Sequence, residues 1–137
     1  MRNAFLKTLN PNVGSTPFYS VDWPLQTAYN FVPAPVTLTD AATITPALTS
    51  GGWFVLTATS NAVRAFAAPT GAAAAGAIVY LQVKNTSGGA LTNTTFGASI
   101  KSGAAITWPA TGTNKIYMLF YDGTNWYVQQ LSPDVSN

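Results

Sequence analysis

From Val36 to Leu131 the chain is a succession of short β-forming runs, interrupted by turn residues roughly every 8 to 12 positions. The runs are VTLTD (36–40), ATIT (42–45), WFVLTAT (53–59), AVRAFA (62–67), AIVYLQVKN (77–85), ALTNTTF (90–96), AAITW (104–108), KIYMLFYD (115–122) and NWYVQQL (125–131). Ser50-Gly51-Gly52, Ser60-Asn61, Ser87-Gly88-Gly89, Ser102-Gly103 and Asp122-Gly123 separate them. These residues supply positive φ or side-chain-to-backbone turns. No window of adequate length carries an apolar stripe at helical spacing. The pattern predicts an all-β domain over 36–137, an antiparallel, jelly-roll-like β-sandwich of about eight strands.

The densest of these runs is the closing pair. In KIYMLFYDGTNWYV, Ile116, Met118 and Phe120 alternate with Tyr117, Leu119 and Tyr121, so both faces of the strand are apolar. Such a strand reads as a central one covered on two sides. Asp122-Gly123 is a strong hairpin signal, and Thr124-Asn125 extend the loop to four residues. Trp53 and Trp126 lie inside alternating runs and are expected in the core. Trp108, ahead of Pro109 at a run end, is left open between the core and a partner.

Residues 1–35 have a different character. Phe5, Phe18, Tyr19, Trp23 and Phe31 are scattered with no period of 2 or 3.6, and Pro33-Ala34-Pro35 closes the segment in extended geometry. Disordered segments are poor in aromatics. This one is expected to be an extended arm whose aromatic side chains anchor it to a partner surface.

The residue inventory narrows the chemistry. The chain has no His, no Cys and no Glu, and its four carboxylates, Asp22, Asp40, Asp122 and Asp134, are widely spaced. General acid–base catalysis usually draws on a His or Glu poised near neutrality, so no enzyme, catalytic residue, cofactor or metal site is expected. Charged residues make up 7% of the chain, with a net charge of +2 from six scattered bases. This excludes a nucleic-acid footprint. The stretch from Ala65 to Val83 is uncharged and long enough to span a bilayer, but Pro69, Gly71 and Gly76 break it, and a membrane span is not expected. Gly71 and Gly76 have the spacing of a phosphate loop, yet Ala77 and Ile78 follow where Lys and Ser or Thr would be needed.

VTLTDAATITPAL, AIVYLQVKNTSGGALTNTTF and KIYMLFYDGTNWYVQ, in that order, resemble small β-sandwich proteins of tailed-bacteriophage virions, a group of capsid decoration (cement) proteins, head-fibre proteins and tail-fibre modules. The resemblance covers about two-thirds of the chain, from Val36 to Gln130. It implies a virion structural protein made in the cytoplasm of a bacterial host. Read as a complete chain, these 137 residues lack the repetitive shaft usual in fibres, and the arm favours a decoration protein. Such a protein would sit on the capsid surface, over junctions of the major capsid protein, as a homotrimer. The alternatives are a fibre module recognising a host receptor or glycan, with Trp108, Asp122 and Asn125 as exposed loop contacts, and a tail or baseplate adaptor.

Overall fold

The structure is a computed structural model that describes residues 34–137. The arm anchors Phe5, Phe18, Tyr19, Trp23 and Phe31 lie outside the described residues, as does most of the expected arm.

The described chain is all-β. Its strands are β1 (Val36–Leu38), β2 (Thr43–Ile44), β3 (Trp53–Ala58), β4 (Arg64–Phe66), β5 (Ile78–Asn85), β6 (Thr94–Phe96), β7 (Ile100–Ser102), β8 (Thr113–Tyr121), β9 (Trp126–Gln130) and β10 (Val135–Ser136), with one 3-10 turn at Leu48–Ser50. The long strands are the runs richest in β-branched and aromatic residues, which suit a pleated, half-buried surface. A large sheet has the order β1-β3-β5-β8-β9-β7, with β10 also on β8, and a small sheet has the order β2-β4-β6.

The expected antiparallel arrangement holds for only part of this fold. β5–β8, β8–β9 and β8–β10 are antiparallel. β1–β3, β3–β5, β2–β4, β4–β6 and β7–β9 are parallel. From β1 to β6 the chain alternates between the two sheets, so consecutive strands do not pair and strands two apart do. A parallel pair needs a long crossover; from β1 to β6 each crossover contains a strand of the opposite sheet, and the β7–β9 crossover contains β8 of their own sheet. Turns such as Gly51-Gly52 and Ser60-Asn61 are corners between sheets, whereas Asp122-Gly123 reverses the chain within one. Run length and turn residues look alike in both cases. The expected strand at 104–108 is also displaced: the strand is Ile100–Ser102, and 104–108 is a connection.

Side chains from both sheets meet in one core. Phe54 and Leu56 of β3, Val79, Leu81 and Val83 of β5, and Tyr117 and Leu119 of β8 join Ile44 and Phe66 of the small sheet. Trp126 is buried there, as expected, with its ring 5.0 Å from that of Tyr121. Burial holds the Tyr117 hydroxyl protonated well above the ordinary phenol range, and it donates to the Thr107 carbonyl at 2.7 Å.

Two buried polar residues tie the corners together. Arg64 is fully buried, and its guanidinium donates to Asp40 Oδ1 and Oδ2 at 2.7 and 2.8 Å, to the Ser60 and Ala62 carbonyls, and to Thr94 Oγ1. Those five bonds match the five N–H groups that a guanidinium carries. Asn85, also fully buried, donates to the Gly89 and Pro109 carbonyls and accepts from the Ser87 amide and hydroxyl. The Lys84-Asn85-Thr86-Ser87-Gly88-Gly89 stretch is therefore a side-chain-clamped corner.

The four-residue hairpin loop is present as expected. Asp122 Oδ1 accepts from the Thr124 and Asn125 amides, each at 2.7 Å, and the Asp122 amide donates to the Asn125 carbonyl. Gly123 has φ +103°, and a Cβ added there would meet Ala75 Cβ at 3.3 Å. Gly123→Val is expected to destabilise the fold by about 1 kcal/mol or more, read as a lowered melting temperature. An unchanged melting curve would mean that the loop tolerates the new side chain.

Hydrogen bonds from Arg64 hold the Asp40 carboxyl below its ordinary 3.8. A carboxylate with a depressed folded pKa contributes stability above its unfolded pKa and loses it as pH falls through the folded value. The sensitive window therefore opens below about pH 4. Asp40→Asn leaves a buried guanidinium without its counter-charge and is expected to cost about 3 kcal/mol at neutral pH. Urea unfolding as a function of pH should show that the wild-type advantage over this variant shrinks in acid.

Candidate functional site

The sheet register sorts the outward side chains of the large sheet into rows. Val55 lies beside Gln82 and Gln82 beside Ile116; Trp53 lies beside Tyr80 and Tyr80 beside Met118; Ile78 lies beside Phe120 and Phe120 beside Tyr127. Phe54, Leu56, Leu81, Tyr117 and Leu119 alternate with them on the core side. Ile78, Tyr80, Phe120 and Tyr127 remain 47%, 43%, 38% and 42% exposed. Further along the same strands the outward row is Thr57, Lys84 and Asn114. One face thus changes from polar to apolar within β3, β5 and β8. Next to the apolar end is a groove of about 520 Å³ lined by Ala105, Ile106, Met118, Phe120, Tyr127 and Gln129.

This face departs from two expectations. β8 is central in its sheet, but among the described residues only its Tyr117–Leu119 side is covered by the second sheet. Trp53, expected in the core, is half-buried on the outer side because it shares the parity of Val55 rather than that of Phe54. The face could have been found from the sequence: Ile78, Tyr80, Ile116, Met118 and Phe120 are the outward half of two strands that are apolar on both sides.

The three expected loop contacts do not form one site. Of the two readings left open for Trp108, the structure takes the packed one. Its ring lies 5.7 Å from Phe66, 5.0 Å from Phe96 and 5.3 Å from Tyr117, centroid to centroid. The ring ahead of Pro109 thus packs inward between Phe66 and Phe96 of the small sheet and Tyr117 of the large one. Asp122 is exposed and Asn125 half-buried, and both are engaged in their own turn. The Asn125 and Thr124 amides hold the Asp122 carboxyl below the ordinary range, and the Asp122 charge raises the Tyr127 hydroxyl.

The other described carboxylates have structural partners. Asp40 pairs with Arg64. Asp134 accepts from the Ala110 amide at 3.0 Å and the Thr113 hydroxyl at 2.9 Å, with the Lys115 ammonium 3.6 Å away. Among the described residues no three His, Cys, Asp or Glu side chains come together as a metal-binding group. No helix among them is long and apolar enough to cross a membrane, and the uncharged stretch at 65–83 falls on β4, its following loop and β5.

The chain matches no known protein-family model, and no curated protein or solved structure is significantly similar to it.

Trp108→Ala should behave as a core truncation, with a loss of about 3 kcal/mol in unfolding free energy. A change of a few tenths would show that the ring contributes little to joining the sheets.

Proposed function

We propose that this chain is a structural protein of a tailed-bacteriophage virion and, within that class, a capsid decoration protein. It binds over junctions of the major capsid protein as a homotrimer, with Phe5, Phe18, Tyr19, Trp23 and Phe31 as anchors of its N-terminal arm. The observation that carries this reading is the apolar outer face of the large sheet, a contact surface suited to protein rather than to a reaction centre. The resemblance of the β-runs to virion proteins supplies the setting. The mechanism is linkage. A protein that binds only the assembled lattice stabilises it by about 2.7 kcal/mol per site when free protein exceeds Kd about 100-fold.

A second reading, a glycan- or receptor-binding module of a fibre, is favoured by the groove beside Phe120 and Tyr127, where two exposed rings lie next to the Gln129 amide. Particle stoichiometry separates the two. Decoration requires a band on stained gels of purified particles comparable with that of the major capsid protein. A band at the level of tail components would favour the fibre, and absence from particles would end both readings. On undecorated capsids, Trp23→Ala is expected to weaken binding at least about tenfold, or roughly 1.4 kcal/mol. Unchanged binding would remove Trp23 from the attachment surface.

A further inference from the structure

We propose that copies of this chain associate through the apolar outer face of β3, β5, β8 and β9, so that the second layer over β8, not supplied by the described residues, comes from the outer faces of neighbouring copies gathered around one symmetry axis. This deepens the decoration reading and rests on its self-association component. Three observations lead to it.

The first is patterning within single strands. Where this face is polar it is satisfied within the chain or by water: Thr57 is exposed, Lys84 is half-buried, and Asn114 is buried with its amide donating to the Val135 and Ser136 carbonyls. A few residues away, Trp53, Tyr80 and Met118 in one row and Ile78, Phe120 and Tyr127 in the next read as a sheet surface that is covered. The strands are continuous, so the change marks the edge of a contact.

The second is charge. The apolar rows contain no charged residue; Lys101, beside Tyr127, and Asp122 lie at their margin. A partner selected by charge would find nothing to pair with there. A neutral partner fits, and this chain, with 6 basic and 4 acidic residues in 137, is such a partner. A closed symmetric assembly turns the same patch of every copy toward the shared axis.

The third is size. The four exposed side chains, each of about 200 Å² at roughly two-fifths exposure, leave about 300 Å² open. Trp53, Val55, Ile116, Met118 and the wall at 104–106 bring the patch towards the ~800 Å² that one partner contributes to an ordinary stable interface.

The test is the mass of the purified full-length chain by light scattering over a concentration series. The wild type is expected to be oligomeric. Tyr80→Lys and Met118→Lys should each raise the dissociation constant at least tenfold with the circular dichroism of the fold retained, while Thr95→Lys, on the exposed side of the small sheet, should leave it unchanged. If the lysine variants fail to fold, single cysteines provide a second measurement, because the chain has no cysteine of its own. With a thiol-reactive bifunctional cross-linker whose reach is about 10 Å, the spacing of stacked sheets, Tyr127→Cys should give linked copies and Thr95→Cys should not. A wild type that is monomeric throughout, an oligomer indifferent to Tyr80→Lys and Met118→Lys, or equal cross-linking at both cysteine positions would overturn the proposal. Particle binding is measured separately. A monomer that decorates capsids would overturn this inference together with the trimer and leave the decoration role standing, and an oligomer that never binds particles would overturn the decoration reading alone.

Discussion

One buried guanidinium connects the successive passes of the chain. Arg64 begins β4, and its bonds reach Asp40 in the β1–β2 connection, the Ser60 and Ala62 carbonyls at the corner after β3, and Thr94 at the start of β6. The first, third and fifth passes between the sheets are thus held at one point. A buried charge is tolerated only where partners replace its water, and here none of its donors is left over. Lysine would not substitute, since three donors on one ammonium cannot reproduce a planar fork. The small sheet has strands of only two or three residues. It draws much of its definition from this network and from Phe66 and Phe96 stacking with Trp108.

The β-class, the long strands, the terminal hairpin and its positive-φ glycine were legible in the sequence because each has a local cause. Ile78 to Asn85 and Thr113 to Tyr121 are β-branched or aromatic through much of their length, and Asp122 with Gly123 has few conformational alternatives. The direction of pairing was not legible. β3 and β5 alternate inward and outward as antiparallel strands do, and a corner built on Gly51-Gly52 uses the same residues as a hairpin would. Arg64 drew no attention beyond its charge, because its partners lie 24 to 30 residues away at Asp40 and Thr94. Trp108 was ambiguous because Pro109 marks an end without saying which way the preceding ring turns.

The candidate face was half legible. The two-sided apolarity of β8 is plain in the sequence, and its usual meaning is a strand enclosed on both sides. The sequence leads one to expect two layers; the described residues supply one. The sparse charge acts in the same direction, since a chain with so few Lys and Glu has few side chains with which to keep an outward sheet face wet.

The central position of β8 also governs the order in which the fold can form. β5 borders β3 on one side and β8 on the other, and β8 in turn carries β9 and β10. When a ribosome has released the chain only as far as Asn85, the edge of β5 is a row of unpaired amides and carbonyls above an unfinished core. Residues 113–121 must emerge before that edge closes. Pairings between strands so distant in sequence form slowly compared with local ones. The nascent chain therefore exposes an aggregation-prone edge between the release of β5 and that of β8, and Lys84 and Gln82, polar residues within that strand, are well placed to discourage pairing with the wrong neighbour.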